Sequence, residues 1–179
     1  MVKYIVGIVG SRNTGKTTTT TNITDTLVKK GFKAAIIKFM SHRFDFDPAH
    51  KDSALLRKTK ATTILSASPH ETVLFQKTDQ RTDLHTLLRY LPLEIDDVLC
   101  ESYPSTFPVI PLIFVCQNIE DYYNTKERFK DRKPLFITGI IVTEGIDTLE
   151  GIPVLSNDVS DHLQQALELI LRFKIEISN

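Results

Sequence analysis

The residues Gly10-Ser11-Arg12-Asn13-Thr14-Gly15-Lys16-Thr17 follow the pattern GxxxxGK[ST], a spacing suited to holding phosphate groups. Gly10 and Gly15 allow the backbone angles and the close approach that phosphate oxygens require. Main-chain N–H groups from Asn13 and Thr14 onward then turn inward at a helix N-terminus, where the dipole favours negative charge. Lys16 is expected to reach the β- and γ-phosphates, the Thr17 hydroxyl to ligate Mg²⁺, and Thr18 to donate to the α-phosphate. The GxGxxG pattern of dinucleotide redox enzymes is absent, because Gly7 and Gly10 are separated by two residues rather than one.

A second group of chemically capable residues is Lys38-Phe39-Met40-Ser41-His42-Arg43-Phe44-Asp45-Phe46-Asp47, followed by His50-Lys51-Asp52-Ser53. Asp45 and Asp47 could hold Mg²⁺ directly or through water, and Lys51 could reach phosphate. His42, Asp45, Asp47 and His50 could instead chelate a transition metal, and a plain solvated loop is the alternative to both. Phe44 and Phe46 alternate with the aspartates and are expected to anchor the loop. Glu101 follows the apolar stretch Val98-Leu99-Cys100, as an acid at the end of a central strand would. Such an acid orients Mg²⁺ or an attacking water in P-loop proteins. Lys16, Asp45 and Glu101 are thus the candidates for a catalytic role. The turn Ser102-Tyr103-Pro104 is expected to present Tyr103 near the same edge. No Asn-Lys-x-Asp guanine signature occurs. Thr143-Glu144 and Asn157-Asp158 follow late strands, where base-reading residues could sit.

These residues need a scaffold, and the apolar pattern predicts one. Tyr4 to Val9 reads as a buried strand, and Thr17 to Lys30 as a helix stopped by Gly31. Its five consecutive threonines are poor helix formers, costing roughly 0.6 kcal/mol each relative to alanine. Packing of Ile23, Leu27 and Val28, with a bound phosphate, is expected to offset that cost. Lys33 to Phe39 reads as a second buried strand and Ser53 to Lys60 as a short helix. Ala61–Ala67 and Glu71–Gln76 read as an antiparallel hairpin inserted at one sheet edge. Arg81–Leu91 is helical, with Leu84, Leu87, Leu88 and Leu91 on one face. Val98–Cys100, Val109–Val115, Leu135–Val142 and Ile152–Leu155 read as strands. Ile119–Lys130 and Asp158–Phe173 read as helices, the last capped by Ser156 or Asn157. The alternation predicts an α/β, P-loop NTPase-like fold of three layers, a mostly parallel sheet with helices on both faces. Residues 1–179 are expected to form a single nucleotide-binding domain.

The bulk properties narrow the function further. A chain of 179 residues buries roughly 70% of its unfolded surface, enough for one sizeable core. Net charge is zero, which argues against a general nucleic-acid binder. Charge is nevertheless uneven: residues 38–60 carry a net +3 and residues 143–179 a net −5, which suits a small anionic ligand. No apolar run approaches the ~20 residues that span a bilayer. Cys100 and Cys116 form no CxxC, and the chain moves from one lysine directly into a strand. Both features predict a cytoplasmic protein without a secretory leader or structural zinc. The two thiols are expected to be buried and inert, and His70, His85 and His162 to be surface or packing residues.

Taken together, GSRNTGKTT at Gly10 to Thr18, IIKFMSHRFDFD at Ile36 to Asp47, HKDS at His50 to Ser53 and ESY at Glu101 to Tyr103 resemble the molybdopterin-guanine dinucleotide biosynthesis protein B (MobB) family. The resemblance covers about the first 105 residues; beyond them it rests on the strand-helix rhythm. It implies a homodimer that binds GTP with Mg²⁺, hydrolyses it weakly, and assists a MobA-type guanylyltransferase that attaches GMP to molybdopterin. Molybdopterin itself is then a further ligand. The resemblance implicates Gly15, Lys16, Thr17 and Thr18 in phosphate and Mg²⁺ binding, Asp45 and Asp47 in the metal region, Lys51 and Asp52 in the following turn, and Glu101 at the strand end. The chain departs from the family pattern at Phe39, His50 and Ser102, where histidine, glycine and glycine are usual. Two other functions share these motifs: a small-molecule kinase or ATP-dependent ligase with Asp45 or Glu101 as base, and a metallochaperone GTPase using His42 and His50.

Overall fold

The computed structural model describes residues 2–41, 52–79, 82–130, 132–172 and 174–176. In chain order the elements are β1 (Val2–Val9), α1 (Lys16–Lys29), β2 (Ala34–Lys38), α2 (Asp52–Arg57), β3 (Thr63–Ala67) and β4 (Thr72–Gln76). They continue with α3 (Leu84–Arg89), β5 (Asp97–Glu101), β6 (Leu112–Val115), α4 (Ile119–Arg128) and β7 (Phe136–Thr138). A 3₁₀ turn at Ile140–Glu144, β8 (Thr148–Leu149), β9 (Ile152–Pro153), α5 (Ser160–Leu171) and β10 (Lys174–Glu176) complete the described chain.

Five strands pair in parallel in the order β2-β5-β1-β6-β7, with β1 at the centre. Side chains alternate across a strand, so each central strand feeds two cores. Ile5 and Val9 of β1, Val98 and Cys100 of β5, and Leu112 and Phe114 of β6 pack with Leu84 and Leu88 of α3 and Tyr122 of α4. Val6 and Ile8, Leu99, and Ile113 and Val115 point to the opposite face, against Ile23 and Leu27 of α1 and Ala166, Leu167 and Ile170 of α5. The expected three layers follow directly from this alternation.

Packing holds the threonine-rich start of α1 in a helix. Ile23 and Leu27 are buried in the core, although Val28 is exposed rather than packed. In addition, Thr20, Thr21, Thr24 and Thr26 each donate a hydroxyl to the carbonyl four residues back, at 2.6–2.9 Å. These bonds satisfy the hydroxyls without stabilising the helix, so the burial of Ile23 and Leu27 offsets the cost of the threonine run.

Several boundaries differ from the sequence reading. β2 lies at the sheet edge, paired with β5 alone among the described residues, and Ile36 is half exposed rather than buried. The β3–β4 hairpin is antiparallel as expected, but its strands pair only with each other among the described residues. β7 stops at Thr138, because Gly139 turns the chain at φ 101° into the 3₁₀ turn. α5 starts at Ser160 without a side-chain cap. Ser156 and Asn157 are used otherwise: Ser156 N donates to His162 Nδ1 at 3.0 Å, and Asn157 reaches α1. β10, which periodicity missed, pairs antiparallel with Val2–Tyr4 on the side of β1 that β6 leaves open there.

Candidate functional site

The site lies at the carboxyl ends of β1, β5 and β2, where ligands bind in open α/β sheets. β1 ends at Val9, and the loop from Gly10 to Gly15 carries the chain into α1. A Cβ on Gly10 would lie 2.0 Å from the Val115 carbonyl oxygen, so only glycine lets the loop leave the strand here. Asn13 and Gly15 both have positive φ, at 58° and 96°. These two left-handed residues curl the loop so that Asn13, Thr14, Gly15, Lys16, Thr17 and Thr18 line a concavity of about 250 Å³. Thr14 is fully buried, and its hydroxyl donates to the Ser11 carbonyl; its contribution to the concavity is therefore the main chain. Thr18 is exposed on the first turn of α1.

Residues far away in sequence brace this loop. The Ser11 hydroxyl donates to the Asp121 carboxylate, whose other oxygen accepts from Gln117 N at 3.0 Å. Gln117 Nε2 donates to the Arg12 carbonyl at 3.2 Å. A Cβ on Gly139 would meet the carbonyl oxygens of Cys116 at 2.6 Å and Thr14 at 2.9 Å, so β7 ends flush against the loop. Asn157 Nδ2 donates to Thr19 Oγ1 at 2.8 Å, and Asn22 Nδ2 donates back to the Asn157 carbonyl at 3.2 Å. These contacts tie the base of α1 to the approach of α5. Sequence reading missed Asp121, Gln117 and Gly139, because no local pattern distinguishes a brace from an ordinary cap or turn. Asn157, a base-reading candidate by its sequence position, has its amide engaged by α1.

The strand period decides which side chains face the loop. Asp97, Leu99 and Glu101 share one face of β5, and Leu99 packs with α1. Glu101 therefore points toward α1, where its Oε1 accepts the Thr17 hydroxyl at 2.9 Å. Glu101 is 4% exposed. Lys38, the last residue of β2, is paired in register with Glu101. It shares a face with Ala34, so its ammonium reaches the same Oε1 at 2.9 Å and Thr17 Oγ1 at 3.5 Å. Lys16 bends over the loop and donates to the Ser11 carbonyl. Partial burial lowers the Lys16 pKa, opposed by the nearby Glu101 charge and reinforced by Arg128. An ammonium half removed from water and bonded to one neutral carbonyl is poised to take an anionic partner.

In front of these groups opens a cavity of about 430 Å³, lined by Arg12, Asn13, Lys16, Lys38, Phe39, Met40, Ser41, Glu101, Ser102 and Pro104. That volume is in the range of small-molecule sites. Ser102 adopts a left-handed φ of 58°, a conformation that glycine takes at less cost. Tyr103 is buried rather than presented to the cavity, and its hydroxyl donates to the Pro108 carbonyl at 2.9 Å. Cys100 and Cys116 are buried as expected, and burial pushes both thiols up to about 12.

The structure thus brings together Gly10, Asn13, Thr14, Gly15, Lys16, Thr17, Thr18 and Glu101. Asp45, Asp47 and Lys51, and with them His42 and His50, lie outside the described residues. Asp52 is the first residue of α2, described in its backbone. Thr143 and Glu144 are exposed on the 3₁₀ turn. Among the described residues, no group of three or more His, Cys, Asp or Glu side chains could hold a metal by itself. None of the described helices is long and apolar enough to cross a membrane. For Mg²⁺, the donor chemistry fits beside the loop concavity, where a hydroxyl and a buried carboxylate, both hard oxygen ligands, converge.

The family model described as molybdopterin guanine dinucleotide synthesis protein B matches residues 5–133, which include β1, the phosphate loop and Glu101. The chain belongs to the MobB family. Membership places it in molybdopterin guanine dinucleotide biosynthesis. The fold agrees. Bacillus subtilis MobB superposes with a TM-score of 0.70 at 22% identity, over 92% of this chain and 96% of that one. A molybdopterin-guanine biosynthesis protein B gives a TM-score of 0.69 at 22% identity, over 94% and 98%. A MobB homologue from Bacillus stearothermophilus gives 0.67 at 16% identity, over 95% and 99%. No curated protein matches the sequence.

Proposed function

We propose that this MobB-family protein binds GTP with Mg²⁺, hydrolyses it slowly, and serves as an accessory to a MobA-type guanylyltransferase that forms the guanine dinucleotide of molybdopterin. The observation that carries the reading is that Lys16 and Thr17 line the loop concavity while Glu101 accepts the Thr17 hydroxyl beside it. Main-chain amides of residues 13–18 receive the phosphate oxygens, and the helix N-terminus adds a favourable dipole. Lys16 gives up the Ser11 carbonyl and takes the β- and γ-phosphates. Thr17 and Glu101 would hold the magnesium ion, with Asp45 and Asp47 as further oxygen donors from the adjoining segment. When bound there, Mg²⁺ would supply charge neutralisation at the phosphates. Glu101, buried beside Thr17, orients a water near the phosphates; slow turnover suits an accessory whose nucleotide state, rather than chemistry, carries the signal. The protein works as a homodimer, and the cavity in front of Lys38 and Ser102 is the place for molybdopterin.

Thermal unfolding in the presence of Mg²⁺ with GTP or ATP tests this. At ligand 100 times its Kd, linkage adds about 2.7 kcal/mol, a rise of roughly 5–10 °C in Tm for a chain this size. GTP is expected to give the larger rise, and Lys16→Ala to lose most of it while keeping the fold. A larger rise with ATP overturns the guanine assignment. An undiminished rise in Lys16→Ala overturns the site. Rapid turnover that depends on one added metabolite would instead make the protein a kinase.

A further inference from the structure

Glu101 is a buried carboxylate whose Oε1 is approached by two groups, the Thr17 hydroxyl at 2.9 Å and the Lys38 ammonium at 2.9 Å. The arrangement is built by the sheet. Lys38 and Glu101 are register partners on neighbouring parallel strands, with side chains on the same face, so their heads meet beyond the ends of both strands. Lys38 Nζ also lies 3.5 Å from Thr17 Oγ1. The ammonium therefore stands against the same two oxygens that offer a place to Mg²⁺.

We propose that Lys38 is a tethered cation that holds the Glu101–Thr17 pair when no metal is bound, and that Mg²⁺ displaces it into the adjoining cavity, where it binds an anionic group of the ligand. The inference rests on the magnesium site described above and assigns Lys38 a role of its own. Its physical basis is a charge that must always be met. An uncompensated buried carboxylate is costly, so Glu101 requires a cation beside it at every stage. An ammonium and a divalent cation repel one another and compete for the same oxygen. Lys38 is suited to leave. Its side chain is 46% exposed, against 5% for Glu101, and lysine is a compact charge on a flexible stem. Beside Glu101, that cavity, which Lys38 already edges, is lined by Arg12, Lys16, Asn13 and Ser41. Those are partners for an anion, and a phosphate or carboxylate group is the chemistry they select. Metal and anion binding thus become positively coupled: each Mg²⁺ bound frees one cation for the anion.

Calorimetric titration of the nucleotide-free full chain with Mg²⁺ alone, at pH 8, tests the displacement. Lys38→Met keeps the aliphatic stem and removes the competitor; it is expected to bind Mg²⁺ about tenfold more tightly than the parent. Lys38→Arg keeps a cation and is expected to bind no more tightly. With Mg²⁺ saturating and inorganic pyrophosphate as the probe, Lys38→Met is expected to bind about tenfold more weakly. Equal or weaker Mg²⁺ binding by Lys38→Met overturns the proposal, as does the absence of Mg²⁺ uptake by both proteins. Unchanged pyrophosphate affinity overturns the second half. A parent that responds to GTP through Lys16, with a Lys38→Met variant of unaltered Mg²⁺ affinity, refutes the role of Lys38 alone. A parent that responds to no nucleotide refutes the GTP reading, while the Mg²⁺ and pyrophosphate titrations still decide the role of Lys38.

Discussion

The strand that ends in Glu101 begins with a second acid, and its environment yields a quantitative prediction. Asp97 is 1% exposed, and neither carboxylate oxygen has a hydrogen-bond partner. Burial, with a smaller push from the neighbouring Asp96 charge, raises its pKa from 3.8 to about 6. A folded-state pKa above the unfolded value means that the native protein binds the proton more tightly. This acid therefore costs stability at pH above 6, where it is charged in both states, and the cost is relieved as pH falls toward 4. At about 1.36 kcal/mol per pH unit, the difference amounts to about 3 kcal/mol. Asp97→Asn keeps the shape and removes the charge. At pH 8 the variant is expected to be more stable than the parent by up to about 3 kcal/mol, or roughly 6–12 °C in Tm for a chain of this size. The advantage should shrink steadily below pH 6 and vanish near pH 4. Urea unfolding of both proteins at pH 4, 5, 6 and 8 isolates Asp97 and its coupling to Asp96, because titrations not coupled to Asp97 cancel in the difference. A variant no more stable at pH 8, or an advantage that does not depend on pH, refutes the reasoning.

Two further expectations concern the braces of the phosphate loop. Gly139→Ala places a Cβ 2.6 Å from the Cys116 carbonyl oxygen at a φ of 101°, so overpacking and backbone strain combine. The loss should be about 3 kcal/mol by urea midpoint, accompanied by weaker nucleotide binding, because the same Cβ presses on the Thr14 carbonyl. Asn157→Ala removes the 2.8 Å bond to Thr19, a half-buried contact worth about 1 kcal/mol. Amide exchange in the first two turns of α1 should quicken while the sheet is unchanged, and uniform exchange across the protein would contradict this.

Much of this molecule is local and therefore legible in the chain. The apolar run before Gly10, the glycine and lysine spacing, and the stop at Gly31 specify a strand, a phosphate loop and a helix from short-range chemistry alone. Glu101 could be named as a candidate because it closes the apolar run 98–100, although many strands end in an acid with no function; its contact with Thr17 is seen only in three dimensions. The family resemblance of residues 36–53 and 101–103 added what spacing could not. By contrast, β2 was read as buried because four apolar residues look alike in a central or an edge strand; only strand order puts Ile36 at the rim. β10 was invisible because Lys174–Glu176 has no pattern of its own and exists as a strand only where β1 leaves hydrogen-bonding groups unpaired. The meeting of Lys38 with Glu101 across 63 residues is decided by parallel register and by side-chain alternation, quantities defined between strands rather than along them. The sequence by itself determined the strand, the loop motif and the helix, and named the lysine and threonine proposed to hold phosphate. Tertiary structure decided which charges face that loop, because electrostatic partners are set by distance in space and not by separation along the backbone.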